Sequence, residues 1–300
     1  MSKIHVIDLH FLGNTETIAA FLIETSTGPI LVETGPHSTL PQLEAGIAQA
    51  GYTSQDIKKV FLTHIHLDHA GAAWYFAQLG ATIHVHPKGY KHLLSPEKLL
   101  NSARMIYQDQ MDRLWGEMQP IPADRLVQVE DRQSFDLGDS VLEAHYTPGH
   151  AVHHIAWQLG DQLFCGDVAG VKISDGPVVP PCPPPDIHVE DWQNSIQRIL
   201  QLPLNRLYLT HYGAIDNIQQ HLGDLEKVLL DWANWMKPHY DQKNDPKVVT
   251  PMFQQYVQEN LVAAEVNEMG LQQYESANPA WMSVAGLMRY WKIRERNAAS

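Results

Sequence analysis

The sequence predicts an α/β protein built in layers, and three features carry that expectation. Two short apolar runs pair as a hairpin near the start, apolar runs then alternate with stretches of helical periodicity, and Gly, Pro and Ser separate them. At 300 residues the chain can bury a substantial core without disulfides or a structural metal. With 44% hydrophobic and 18% charged residues, long disorder is ruled out.

The elements follow in order. Residues 18–24 and 29–33 read as strands joined by Ser26-Thr27-Gly28. Residues 40–50 have helical spacing and stop at Gly51. Residues 60–63 form a short strand, 70–79 a helix of small residues closed by Gly80, and 81–86 a further strand. Across 88–125, Leu93, Leu99, Leu100, Ile106 and Leu114 recur at helical spacing among charges. That predicts one or two inserted helices. They form a lid whose Met105, Tyr107, Met111 and Trp115 give an apolar pocket, or else a homodimer contact or plain decoration. Strands return at 126–129, 141–146, 155–159 and 162–165. The stretch Pro181-Cys182-Pro183-Pro184-Pro185 must run extended. A helix over 190–200 and a strand over 206–210 follow, and Ile218, Leu222, Leu225, Leu229, Trp232 and Met236 mark one face of a long helix. The pattern pauses near Pro238. Thr250-Pro251 reads as an N-cap and first helical residue, opening a helix to about Gly270, and Asn278-Pro279 opens the last. The expected division is 1–237, with 88–125 as an insertion, and a helical extension over 238–300.

Charge and cysteine usage narrow the function. With 21 basic and 34 acidic residues the net charge is −13, which repels a phosphate backbone and argues against nucleic acid as a partner. No apolar run reaches the ~18 residues of a membrane span, and the N-terminus lacks the apolar core of an export signal. Cys165 and Cys182 make no disulfide framework. A cytoplasmic protein acting on a small molecule is expected.

The chemistry lies in the histidines. Of 17, three fall with one carboxylate in Thr63-His64-Ile65-His66-Leu67-Asp68-His69, just past the strand at 60–62. On extended chain, residues i and i+2 point the same way, so His64 and His66 can meet one ion. Asp68 and His69, past a turn, can face a second beside it. Imidazole nitrogen with carboxylate oxygen suits zinc, iron or manganese. His150, Asp167 and His211 each follow a strand in the same manner, and the ends of strands are where sites form in layered α/β proteins.

These residues resemble the metallo-β-lactamase superfamily. The carriers are His64-x-His66-x-Asp68-His69, then His150, Asp167 and His211, with Glu33-Thr34-Gly35 and Thr147-Pro148-Gly149-His150 as flanking motifs. The resemblance spans roughly residues 4–236. It implies a four-layer αβ/βα sandwich. It also implies a two-metal site, zinc foremost, with His64, His66 and His150 on the first ion, Asp68, His69 and His211 on the second, and Asp167 bridging. Glu33 stands where the family usually has Asp and is expected behind the ligands. His154 and Tyr212 are candidates for supporting the ligands or touching substrate. Two such ions, about 3.5–4 Å apart, share a bridging hydroxide that attacks a carbonyl or phosphoryl centre, with Asp68 orienting the nucleophile and shuttling a proton. The implied activity is hydrolysis of a small ester, thioester, lactone or amide. A non-haem iron redox enzyme, a phosphodiesterase and a non-catalytic binding protein remain the alternatives on this fold.

Overall fold

The structure is a computed structural model that describes residues 2–298. Two mixed six-stranded sheets lie face to face between helical layers. The first sheet contains β1 (Ile4–Asp8), β2 (Ala19–Ile23), β3 (Ile30–Val32), β4 (Lys59–Phe61), β5 (Thr82–Val85) and β6 (Leu126–Gln128), ordered as in the chain. The second contains β7 (Ser134–Asp136), β8 (Val141–Tyr146), β9 (Ile155–Leu159), β10 (Gln162–Val171), β11 (Arg206–His211) and β12 (Gly213–Ile215), with β12 and β7 at its edges.

The period of two in the strands generates the layers. In β2, Phe21 and Ile23 face the space between the sheets, while Ala20 and Leu22 face the outer helices. In β11, Tyr208 points to the inter-sheet core, and Leu207 and Leu209 point outward. Aromatic rings close the middle: Phe21 meets Phe164 at 5.2 Å and Phe61 meets Trp157 at 4.9 Å. On the first sheet pack α1 (Leu40–Gln49), α2 (Leu67–Ala70) and α3 (Ala73–Gln78), followed by α4 (Pro87–Leu94), α5 (Glu97–Tyr107) and α6 (Met111–Leu114). On the second pack α7 (Val189–Leu200), α8 (Ile218–Asp241), α9 (Pro246–Ala263), α10 (Glu268–Ala277) and α11 (Ala280–Ala298).

Several elements differ from expectation. β1, β7 and β12 are too short or too polar to stand out by pattern. The helix expected over 70–79 is two pieces, with Asp68 and His69 inside the single turn of α2. The insertion holds three helices. α8 does not stop at Pro238 but runs to Asp241, and the next helix begins earlier than Thr250. Asp245 is the N-cap, its side chain accepting from Lys247 N, and Pro246 takes the first helical position. Pro251 therefore lies within α9, where the Thr250 hydroxyl donates to Pro246 O. That helix ends at Ala263, not near Gly270. No helix among the described residues is long and apolar enough to cross a membrane.

The C-terminal helices are tied into the molecule. Phe253, Tyr274, Val284, Leu287 and Tyr290 share a core with α7, α8 and β10. They also clamp the proline-rich stretch: Tyr274 donates its hydroxyl to Pro177 O at 2.6 Å, Asn278 Nδ2 donates to Pro180 O at 3.2 Å, and Arg289 Nε donates to Pro185 O at 2.9 Å.

Candidate metal centre

Four segments deliver seven side chains to one edge of the sandwich. β4 ends at Phe61, and the extended Thr63–His66 stretch presents His64 and His66 before α2 supplies Asp68 and His69. The loop after β8 supplies His150, and His211 is the last residue of β11. Asp167 lies inside β10, not past its end as the sequence suggests. The strand's register against β11 shifts at Gly166, whose φ of +50° and crowded surroundings turn Asp167 toward the cluster. A Cβ at Gly166 would clash with the Thr63 hydroxyl and come within 2.7 Å of His154 Nε2.

Two groups of donor atoms result. In the first, His66 Nδ1 lies 2.9 Å from His64 Nε2 and 3.0 Å from His150 Nε2. In the second, His211 Nε2 lies 3.5 Å from Asp68 Oδ2, and His69 Nε2 lies 3.7 Å from the same oxygen. Asp167 spans both. Its Oδ2 is 3.3 Å from His150 Nε2, and its Oδ1 is 3.2 Å from His69 Nε2 and 3.5 Å from His211 Nε2. Within each group one donor atom per residue falls within 4.8 Å of the others.

The ring orientations are fixed from behind. His150 Nδ1 donates to Pro181 O at 2.9 Å, and His211 Nδ1 donates to Thr17 O at 2.6 Å. His69 Nδ1 donates to Glu33 Oε1 at 3.0 Å. His64 Nδ1 donates to the Thr63 hydroxyl at 3.0 Å, and that hydroxyl in turn donates to Glu33. In its neutral form each of these four rings therefore turns the Nε2 lone pair inward, the tautomer a metal ligand needs. His69 Nε2, His211 Nε2 and Asp167 Oδ1 are buried without a hydrogen-bond partner. Such atoms are costly to leave unsatisfied, and their convergence fits bound cations. Glu33, His64 and His69 also bring donor atoms together, but the Glu33 oxygens are engaged by Thr63 and His69 Nδ1 on the side away from the cluster.

The electrostatics agree. Burial, with His69 and His66 adding their charge, drives the His64 pKa well below its ordinary value, and burial with His150 takes His66 to about 4. In the second group burial opposes protonation of His69 and His211, but Asp167 and Asp68 outweigh it and raise both. Burial would raise Asp68, yet His69 and His211 hold it at about 2. One group is three neutral imidazoles. The other is a concentration of negative charge that takes up protons where cations are lacking.

The supporting residues separate on inspection. Glu33 is fully buried, and its positive φ of 65° is a strained conformation for a residue with a side chain. His154 is also fully buried. It accepts from Asp167 N at 3.2 Å and pairs with the Thr147 hydroxyl at 2.8 Å, so it fixes the backbone at Asp167 and touches no open space. Tyr212 packs against the cores of the second sheet and does not line the cavity. Thr63, which links Glu33 to His64, was not singled out by sequence. A hydroxyl directly before the histidine motif was the available signal.

Above the cluster lies a cavity of about 700 Å³, with His66, Asp68, Asp167 and His211 on its floor. Tyr107 and Trp115 stand in its wall as the lid reading expects, but Met105 is 76% exposed and Met111 is buried beneath. Trp281 and Met282 of α11 form the opposite side. The Tyr107 ring lies 5.7 Å from that of Trp281, and its hydroxyl donates to the Met282 sulfur at 3.4 Å.

Comparison with known proteins agrees with this geometry. The family profile described as the metallo-beta-lactamase superfamily matches residues 14–211, more than half of the chain. A metallo-beta-lactamase fold-containing protein of Sulfurisphaera tokodaii is 30% identical over 189 residues, which are 60% of this chain and 72% of that protein. An atrochrysone carboxyl ACP thioesterase of Aspergillus fumigatus is 25% identical over 203 residues, 67% of this chain but only 52% of the relative's length. The crystal structure of a metallo-beta-lactamase family protein of Thermus thermophilus superposes with a TM-score of 0.68 at 19% identity. It covers 99% of this chain and 94% of its own, so the shared fold includes the C-terminal helices. With the matched region enclosing all seven converging side chains, the chain belongs to the metallo-beta-lactamase superfamily.

Proposed function

We propose that the protein is a metal-dependent hydrolase that holds two divalent cations, zinc foremost, and cleaves an ester, thioester, lactone or amide. The observation that carries this reading is the pair of donor groups joined by Asp167 on the floor of a cavity lined largely by apolar side chains. A catalytic zinc site would need protein donors that also face open space, and His66, Asp68, Asp167 and His211 border the cavity. The relative named as a thioesterase supports attack at an acyl carbon.

His64, His66 and His150 would hold the first ion, Asp68, His69 and His211 the second, and Asp167 both. When bound, the ions supply an activated water and Lewis acidity at the attacked carbonyl. The chain does the rest. Asp68, ionised and facing the cavity, accepts a hydrogen bond from the attacking water and fixes its direction. Tyr107 is the one phenol in the cavity wall. Burial and the nearby Asp68 charge raise its pKa, so it stays protonated, and a thioether sulfur is its weak partner. It is placed to donate to the carbonyl oxygen as negative charge develops there. Trp115 and Trp281 line the same cavity and lower the polarity around both interactions.

The test is turnover by zinc-loaded protein of a panel of esters, thioesters, lactones and phosphodiesters, beside metal-free protein and His66→Ala. Metal-dependent release of an acid from an acyl substrate, lost in His66→Ala, is the expected result. Turnover that survives chelation and His66→Ala would remove the cluster from the chemistry.

A further inference from the structure

The cavity's lining points to what it admits. Its walls come from three distant parts of the chain: Leu99, Ala103 and Ile106 on α5, Phe11 near the N-terminus, and Trp281 with Met282 on α11. Among the described residues no lysine or arginine lines it, and the charged groups that do are Asp68, Asp167 and Glu275 beside two floor histidines. A substrate bearing a carboxylate or phosphate at the far end of its acyl chain would lose hydration against apolar walls with no side-chain cation to meet it. At roughly 30 Å³ per water-sized group, the space takes on the order of 20 non-hydrogen atoms, well beyond an acetyl group.

We propose that the substrate is an uncharged ester, thioester or lactone with an apolar acyl chain of about six to ten carbons, seated between α5 and α11 above His66, Asp68 and His211. This rests on the hydrolase reading given above. In the reaction water adds through oxygen to the acyl carbon, the bond to the leaving oxygen or sulfur breaks, and that atom takes a proton, so no other reactant is needed. Chain length then sets affinity through burial: each methylene moved from water to this wall contributes about fourfold in kcat/KM until the cavity is filled. A terminal carboxylate on the same chain reverses the gain.

Two measurements test this. The first is kcat/KM of zinc-loaded protein on 4-nitrophenyl acetate, butyrate, hexanoate and octanoate, with the 4-nitrophenyl monoester of adipic acid as the charged match to hexanoate. The expected result is a rise of about fourfold per methylene from acetate to hexanoate, and adipate at least 100-fold below hexanoate. Ala103→Phe, which narrows the wall, should remove the gain beyond butyrate. The second is titration of metal-free protein with ethanol, butan-1-ol, hexan-1-ol and octan-1-ol, read by fluorescence of Trp115 and Trp281. It needs neither turnover nor metal, and affinity should climb with length by the same factor. A flat series in both measurements, or adipate turned over as fast as hexanoate, overturns the proposal. Length-dependent alkanol binding with no ester cleaved overturns the hydrolase reading instead.

Discussion

Glu33 offers the sharpest perturbation of the centre that leaves every proposed metal ligand in place. Its carboxylate accepts three hydrogen bonds, from the Thr63 hydroxyl, from Thr63 N at 3.4 Å and from His69 Nδ1 at 3.0 Å, and it is fully buried. Glu33→Gln keeps the shape but leaves one acceptor oxygen and places an NH2 against a donor. His69 Nδ1 and the Thr63 hydroxyl share Oε1, so an amide oxygen in that place keeps both bonds without the charge and sets its NH2 against Thr63 N, whereas the flipped amide breaks both. A charge-assisted hydrogen bond lost at a buried site costs about 1.5–3 kcal/mol, roughly 10- to 100-fold in an equilibrium constant. The loss should fall on the group of Asp68, His69 and His211. His150 and His66 do not touch Glu33, and His64 reaches it only through Thr63. The assay is zinc competition against a chromophoric chelator at pH 7, resolving two binding steps, with circular dichroism to show that the variant is folded. The second step should weaken 10- to 100-fold and the first by less than about fivefold. Glu33→Asp keeps the charge but falls a methylene short of spanning both partners, so it should lie between. A folded Glu33→Gln protein that binds both zinc ions with unchanged affinity would refute the role given to this carboxylate.

Three further predictions follow from the geometry. Tyr107→Phe should lower kcat about 10- to 100-fold with little change in KM, because the phenol acts on developing charge; an equal rise in KM would make it a binding contact only. Burial holds the His84 pKa at about 4 against about 6.5 in unfolded chain, so the native state refuses a proton that the unfolded state accepts. The resulting stability, about 3 kcal/mol, is present above pH 6.5 and lost as pH falls toward 4; His84→Gln should flatten the melting profile over that window, and a parallel profile would contradict the cause assigned. Gly286→Ala should destabilise the protein by about 1–3 kcal/mol, since its Cβ meets Cys182 O where α11 crosses the proline-rich stretch; an unchanged melting temperature would show that this crossing can shift freely.

What was legible in the sequence was local. The motif from His64 to His69 is read from six consecutive residues, and the short continuous apolar runs around Phe21 and Phe61 mark strands buried on both faces. The ligands at 150, 167 and 211 were visible because each lies at or near the end of an apolar run. Asp167 was misplaced relative to its strand because a bulge leaves no mark except Gly166. Two prolines competed to open α9, and the nearer acid, Asp245, decided for Pro246 by capping it, which residue type alone does not rank. The cavity was the least legible part. Nothing in the order of residues brings Met282 to Tyr107 or Thr17 O to His211. Those contacts, 175 and 194 positions apart, exist only once the two sheets and the last helices have packed.

If the seven side chains form one two-metal centre, metal content reports it without reference to any substrate. Elemental analysis of protein purified without chelators, and again after zinc loading and removal of excess, should give two ions per chain in the wild type, with both weakened in Asp167→Asn. Zero or one ion per chain after loading, or full occupancy in Asp167→Asn, would contradict a centre of two ions joined through Asp167.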